Sequence, residues 1–360
     1  MRLDWDKDIV KTCKNNLENL GYIDLENLNL IDIYNKFLMG ILDDDSFEEI
    51  SFNDKEILKI IKEEVISYKD LINSLPNKFS NNLVNLVEGL KIPNVADFNI
   101  DDKTTDDELY KLSYEIFTDV SEEFKKYLDY IYDNKLVKIN SDTFLDGPCC
   151  YVDLYNKKGF VYYPKHIISS RTSSYNHELA HSINTITNGE FYYNINPDLT
   201  EFNSIFMELY SDNFMYNKTK YNMFLHSKYN SLNRFKTDIR NIAIIKSLSE
   251  IRPTKENIIC KMKDDFNIDL EDNFNNYFND ILKTLTIEID YCYLIGLCCS
   301  INLLNNCNLD EQKSRFMKSF YVNRRKNFFR TIDFNIDNNY YMYDILEKEF
   351  KNMDSLVRKK

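Results

Sequence analysis

Two histidines and a glutamate within five residues are the part of this sequence best suited to chemistry. His177, Glu178 and His181 stand in HELAH, in a chain with only four histidines among 360 residues. Residues four apart share one face of an α-helix, so both imidazoles can ligate a single zinc ion. Glu178 lies at a position from which its carboxylate can take a proton from a zinc-bound water. The pentapeptide predicts a zinc hydrolase, although a polar helix can also carry it by chance.

A catalytic zinc needs a third protein ligand and an open coordination position. Glu201 begins the helical segment TEFNSIFMELYSDNF, 24 residues (201 − 177) after His177. We expect a helix, a turn of about a dozen residues and an antiparallel second helix to bring this carboxylate back to the metal. The alternative is a first-turn glutamate favoured only by the helix dipole. The helix also carries a polar stripe at i, i+3 and i+7, formed by Glu201, Ser204 and Glu208.

The remaining potential metal ligands predict no second site. His166 follows a predicted strand and can line the cleft, but a surface histidine or one satisfied by hydrogen bonds is the favoured interpretation. His226 receives no role. The eight cysteines include no C-x-x-C pair, and most have the character of small buried apolar residues in a reducing compartment.

Composition and charge exclude several classes of protein. The formal net charge is −13, with no basic stripe interleaved with aromatic residues, so we expect no nucleic-acid partner. The first residues are acidic where a signal peptide needs a basic start, and no run of 18 apolar residues follows. These features predict a cytoplasmic protein without membrane contact. The oligomeric state is left open.

The elements that must position the motif are mostly helical. Ile57, Ile60, Ile61 and Val65 follow one helical face, and amphipathic patterns of this kind fill the first 140 residues or so. Between 136 and 168, short β-branched and aromatic runs separated by turn signals predict a small sheet or ribbon. Helices resume after that sheet, and we predict them at 169–187, 199–217, several within 221–283, 286–306, 310–329 and 338–355.

Four stretches resemble the M3-type metallo-oligopeptidases, the thimet oligopeptidase and oligoendopeptidase F group of the glutamate-ligand zincins, or gluzincins. The first is HELAH itself, and the second is EFNSIFME, with its serine and second glutamate. The third resembles the glycine-led turn and edge strand that precede the family's metal-binding helix and pair with the substrate backbone. The fourth is similar to a late tyrosine-rich helix. The last two stretches are GPCCYVDLYNKKGFVYY at 147–163 and YCYLIG at 291–296.

The resemblance implies a role for each matching residue. One zinc ion per chain would be held by His177, His181 and Glu201, with Glu178 as the general base and Ser204 and Glu208 behind the ligands. A phenol from Tyr291 or Tyr293 would donate to the oxyanion, since a neutral donor stabilises developing negative charge. Backbone pairing with the peptide substrate by β-augmentation would involve Phe160, Val161 and Tyr162.

The sequence also departs from the family. The family has a histidine shortly before its tyrosine motif, whereas DILKTLTIEID at 280–290 has none and carries Glu288 and Asp290 instead. The part before HELAH is shorter in this sequence than in typical members, so we expect the closed channel that restricts them to short peptides to be reduced or differently built. These departures concern turnover and choice of substrate more than metal binding.

We therefore predict a mainly α protein in which residues 1–140 form a helical lobe and residues 141–360 a zincin-like catalytic region. The leading hypothesis is a zinc metalloendopeptidase that cleaves short peptides. A second hypothesis is a regulatory protease of the ImmA type, which acts on a protein substrate. A third is a catalytically weak pseudopeptidase that binds peptides.

Overall fold

The computed structural model describes about two thirds of the chain. The described residues are 52–67, 69–73, 105–140, 148–153, 157–164, 171–188, 199, 201–219, 227–228, 232, 235–284, 287–321, 325–335 and 339–358. The predicted helices before residue 52, together with His166 and His226, lie outside them.

A three-stranded sheet with the order β1-β3-β2 precedes the HELAH helix. The strands are β1 (Val137–Asn140), β2 (Cys149–Asp153) and β3 (Lys158–Pro164). Strand β3 pairs in parallel with β1 and antiparallel with β2, so it is the central strand. The small sheet predicted from the β-branched and aromatic runs is confirmed.

The sheet corrects one substrate-binding prediction. Phe160, Val161 and Tyr162 were expected on an edge strand, but they lie on central β3 and their side chains are buried. Their backbone groups are used within the sheet, because β3 has a partner on each side. A peptide substrate cannot add to a strand that is already paired on both sides, so this assignment is wrong. Strand β2, the antiparallel neighbour of β3, is an edge strand of the described sheet.

Helices make up most of the described chain, which confirms the mainly α prediction. They are α1 (Asp54–Ser67), α2 (Lys69–Asn73), α3 (Asp106–Val120), α4 (Phe124–Asp133), α5 (Arg171–Asn188), α6 (Phe202–Thr219), α7 (Lys236–Leu248), α8 (Lys255–Phe266), α9 (Phe274–Thr284), α10 (Ile287–Asn306), α11 (Leu309–Phe320), α12 (Arg325–Thr331) and α13 (Asn339–Arg358). None of the helices in this described part combines the length and apolar character that crossing a bilayer requires.

Capping explains where several helices begin and end. Thr105 and Glu108 form a reciprocal capping box at the start of α3, which satisfies two orphan N–H groups. The single helix predicted at 310–329 is wrong, because α11 ends at Phe320. There the N–H of Tyr321 donates to the carbonyl oxygens of Lys318 and Ser319, and the i→i−3 bond to Lys318 narrows the last turn of the helix.

Two apolar cores hold the helices together. The larger core surrounds α5 and α6 and takes in the sheet, α3, α4 and α10, together with α11–α13. The smaller core joins α1 to α7, α8 and α9 through residues such as Ile57, Ile61 and Phe278. Neither core coincides with the predicted 1–140 lobe, and that domain boundary stays a prediction.

Candidate metal centre

Three predicted ligands meet where α5 passes the start of α6. The Nε2 atoms of His177 and His181 lie 3.2 Å apart. The Oε2 atom of Glu201 lies 3.4 Å from Nε2 of His177 and 3.3 Å from Nε2 of His181. Among the described residues, these three form the one group of histidine, cysteine and acidic side chains able to hold a metal ion. The sequence therefore predicted the members of the cluster correctly as neighbours.

Glu208 lies behind His177 rather than in the cluster. Its Oε2 is 2.9 Å from Nδ1 of His177, and its side chain is 2% exposed. A carboxylate at that distance accepts a hydrogen bond from Nδ1–H, which leaves Nε2 as the nitrogen that faces the cluster and can ligate a metal ion once it has lost its proton. Ser204 is placed next to the third ligand, with its Oγ 2.8 Å from the Glu201 carbonyl oxygen and 3.2 Å from Oε2. Both residues lie where the polar stripe predicted them.

Burial and charge together determine the protonation of the cluster. Burial alone lowers the pKa of His177, but hydrogen bonds to Glu201 and Glu208 outweigh it and raise that pKa to about 9. Burial raises the pKa of Glu201, whereas both histidines lower it, and the net result lies well below the ordinary value. Without a cation, the pair is therefore an imidazolium beside a carboxylate. A divalent cation can replace the imidazolium proton as the counter-charge.

Side-chain hydrogen bonds hold α5 against α6 on both sides of the ligands. Beside the cluster, Asn203 donates to Asn184 at 2.9 Å, with both side chains buried. About two turns closer to the start of α5, Asn176 donates to Ser211 at 2.8 Å. These bonds are amide to amide and amide to hydroxyl, and their loss would leave buried polar groups unpaired. They fix how far the histidine helix lies from the glutamate helix.

A buried acid continues the same interface. Asp212 is 1% exposed and accepts a hydrogen bond of 2.5 Å from Ser173. The Ser173 hydroxyl also lies 2.9 Å from that of Ser227, a residue beyond α6. The stripe of acids on α6 therefore extends past Glu208. The polar stripe predicted from the sequence did not include Asp212, although the four-residue spacing from Ser204 to Glu208 leads on to it.

The sheet lies against the other side of α5 because Gly159 has no side chain. A Cβ atom there would lie 2.4 Å from the Ser182 Cα, and the Ser182 hydroxyl donates to the Gly159 carbonyl at 2.7 Å. Further along β3, the hydroxyl of Tyr163 lies 2.8 Å from that of Ser174. The two contacts, Gly159 with Ser182 and Tyr163 with Ser174, show that β3 and α5 run antiparallel. Val161 is midway between the two strand residues, and Glu178 is midway between the two helix residues. Val161 therefore lies opposite the helix turn that contains Glu178.

Cys150 is the β2 residue beside that turn. It is the Cα partner of Val161, and side chains of directly opposed residues lie on the same face of a sheet. Burial, and then the charge of Glu178, raise the pKa of the Cys150 thiol well above its ordinary value. Glu178 itself is 8% exposed and is outside the three-residue ligand group found among the described side chains. The proposed base therefore lies between the ligands and the β2 edge.

The predicted tyrosines lie on α10, which packs closely against the start of α6. Tyr291 is buried in the larger core, and the half-buried Tyr293 places its ring centroid 6.0 Å from that of Phe235. Neighbouring Asp290 is 2% exposed and accepts from Asn241 at 3.3 Å. The helix containing the tyrosines is confirmed, and their role as oxyanion donors stays a prediction.

The fold of the chain is similar to that of several solved structures of proteins assigned as peptidases. PZ peptidase A, solved with an inhibitor, superposes with a TM-score of 0.52 at 12% identity, covering 90% of this chain and 61% of its own. A protein assigned as oligoendopeptidase F from Bacillus anthracis gives 0.50 at 12% identity, covering 98% and 62%. A protein assigned as a peptidase from Chlamydophila abortus gives 0.52 at 16% identity, covering 85% and 56%.

These similarities confirm, at the level of fold, the resemblance to the oligoendopeptidase F group. The chain spans 56% to 62% of the length of these three structures. No protein-family model matches the sequence, and no curated protein matches it either. The chain therefore resembles these structures in fold, at low sequence identity.

Proposed function

We propose that this chain is a zinc metallopeptidase that hydrolyses peptide bonds, with His177, His181 and Glu201 as the ligands of one zinc ion. The observation that carries the proposal is the spacing of the three ligand atoms, 3.2, 3.3 and 3.4 Å. Zinc bonds of about 2.0–2.1 Å at tetrahedral angles put neighbouring ligand atoms about 3.3 Å apart. Two imidazoles and one carboxylate are also the donor set of a catalytic gluzincin site.

The ligand set leaves room for chemistry. Three protein ligands are the number found in catalytic zinc sites, whereas structural sites use four. When bound, zinc acts as a Lewis acid on the peptide carbonyl and lowers the pKa of water. Glu178 is the base that accepts the proton from the attacking water and passes it to the leaving amine. A phenol on α10, Tyr291 or Tyr293, donates a hydrogen bond to the developing oxyanion.

Strand β2 is the proposed edge for the peptide backbone. The N–H of Val161 donates to Leu136 at 2.8 Å, so its backbone groups point towards β1. In an antiparallel pair, the partner of such a residue has its own N–H and C=O pointing away from the shared ladder. That partner is Cys150. Its backbone groups therefore face the free edge of the described sheet and can pair with an extended peptide beside Glu178.

We further propose that the substrates are short peptides and that the protein is cytoplasmic. The solved structures that share this fold include proteins assigned as oligoendopeptidases, a name for enzymes acting on oligopeptides. All described cysteines are free thiols, in agreement with a reducing compartment. The cytoplasmic location rests on that observation and on the composition alone.

A mixed library of short peptides tests the proposal. The purified zinc-loaded protein should cleave many library members, and mass spectrometry of the products should show new termini. The matched control is Glu178→Gln, which keeps a polar side chain of the same size but cannot take up the proton. Equal cleavage by both proteins would contradict the assigned base. Cleavage of a folded protein substrate but of no library member would favour the ImmA-type alternative.

A peptide-binding protein with weak catalysis is the second candidate function. The observation that favours it is Asp290, a buried acid hydrogen-bonded to Asn241 in the region where the resembling family has a histidine. This candidate predicts one zinc per chain and saturable binding of library peptides, with product formation no faster than in Glu178→Gln. Metal content and cleavage measured on the same sample separate the two functions.

A further inference from the structure

Gly296 is a glycine in the middle of α10, where glycine is normally unfavourable. In a helix interior it destabilises by about 1 kcal/mol relative to alanine. The residue lies within continuous helix between Ile287 and Asn306, and no turn requires it there. A glycine in such a place is explained by what its missing side chain allows to come close.

The group that comes close is the peptide unit of the third ligand. A Cβ atom at Gly296 would lie 3.1 Å from the carbonyl carbon of Glu201 and 3.1 Å from the nitrogen of Phe202. It would also lie 2.9 Å from Cδ1 of Ile205. An isoleucine terminus can rotate away, but the Glu201–Phe202 peptide cannot, because its carbonyl already accepts the N–H of Ile205 at 2.9 Å in the first turn of α6.

The contact continues one turn further along α10. The hydroxyl of Ser300 lies 3.4 Å from the carbonyl oxygen of Phe202. Gly296 and Ser300 are four residues apart and share one helical face. This face therefore follows the backbone of Glu201 and Phe202. On the opposite side, the Asn184–Asn203 hydrogen bond holds the start of α6 against the histidine helix.

We propose that Gly296 is a positioning residue that sets where Glu201 presents its carboxylate to the metal, an inference that rests on the zinc site proposed above. The backbone shift that a methyl group at Gly296 would cause is comparable with the tolerance of metal–ligand distances. A methyl group at 3.1 Å requires the facing backbone to move by a few tenths of an ångström. Metal–ligand distances tolerate about ±0.2 Å. A backbone shift of that size displaces the carboxylate by as much as the coordination sphere tolerates.

The test variant is Gly296→Ala, with Leu303→Ala as the matched control. Leu303 is fully buried on the same helix, seven residues and about 10 Å of helix axis beyond Gly296, so its truncation lowers stability at a point distant from the Glu201 contact. Zinc affinity is measured on metal-free proteins by competition with a chromophoric chelator. The visible spectrum of the cobalt(II)-loaded proteins reports the coordination geometry independently of activity.

We expect Gly296→Ala to bind zinc about tenfold or more weakly than wild type, as for residues that orient ligands. Its cobalt(II) spectrum should change, while Leu303→Ala should keep the wild-type spectrum and affinity despite a lower Tm. Wild-type affinity and spectrum in Gly296→Ala would overturn the inference. An equal loss of affinity in Leu303→Ala would overturn it too, since the effect would then be general destabilisation.

Ser300→Thr keeps the inference testable if Gly296→Ala does not fold. It adds one methyl group on the same face, against the Phe202 carbonyl, and should weaken zinc binding in the same direction by a smaller factor. Unchanged affinity in folded Ser300→Thr would contradict the inference. Failure of the wild-type protein to bind zinc would instead refute the proposed zinc site, so the two failures are distinguishable.

Discussion

His177 has different partners on its two ring nitrogens, and this difference defines its role. Nδ1 lies 2.9 Å from Glu208, whereas Nε2 faces His181 and Glu201. A histidine that ligates through one nitrogen and donates through the other is the usual arrangement at protein metal sites. The sequence reveals the spacing of two histidines, but the hydrogen bond that orients the His177 ring arises only when α6 brings Glu208 behind it.

The pKa of His177 leads to a prediction for the metal-free protein. The folded-state pKa is about 9, above the unfolded value of 6.5. The stabilising contribution of the charged ring is therefore complete below pH 6.5 and lost as the pH rises through about 9. The Tm of the metal-free wild type should fall more between pH 6 and pH 9.5 than that of metal-free His177→Gln. Parallel Tm curves for the two proteins would show that the ring is not charged in the fold.

Glu178 is predicted to be needed for turnover and dispensable for metal binding. Glu178→Gln should keep one zinc per chain and lose kcat by about 10²–10⁴, the usual contribution of a general base. Zinc content by elemental analysis and kcat on a quenched peptide give the two quantities on one sample. Loss of zinc together with activity would assign the residue a structural or ligating role instead.

At the scale of elements, two glycines set the spacing around the site. Gly159 lets β3 approach α5, and Gly296 lets α10 approach the start of α6. A glycine inside a strand is a known sign of close backbone approach, so the sequence offered a signal at Gly159. The indication from the sequence was weaker at Gly296, because the apolar periodicity of a helix does not identify the segment that packs against a given residue.

Strand β2 leads to a prediction about substrate binding. Cys150→Pro removes one N–H from the free edge and should raise KM by about two- to tenfold, the effect of one backbone hydrogen bond. The ladder to β3 should remain, since that N–H points away from it and proline is tolerated on edge strands. Cys150→Ala keeps the N–H and is the matched control. Equal KM values for both variants would argue against peptide pairing at this edge.

At the scale of the molecule, local patterns predicted more than long-range ones. Repeated apolar spacing predicted the helices, and the five residues of HELAH predicted two of the three side chains that meet in the cluster. Glu201 was reachable because its helix follows closely and carries an acidic stripe. The strand order could not be predicted from the sequence, since β3 becomes central only through a parallel pairing with β1 that skips β2 in sequence. The packing of α1 with α7–α9 joins residues roughly 170 to 230 positions apart (236 − 67 to 284 − 54) and left no local signal.

Titration of the metal-free protein with zinc, followed by hydrolysis of a quenched peptide, is the decisive measurement for a zinc peptidase with these ligands. We expect no hydrolysis in the chelated protein, a linear rise in rate with added zinc, and a plateau at one zinc per chain. Glu201→Ala should need a large excess of zinc for any activity. Hydrolysis that persists in the chelated protein, or a site filled with one zinc that gives no hydrolysis, would contradict a zinc peptidase centred on these three ligands.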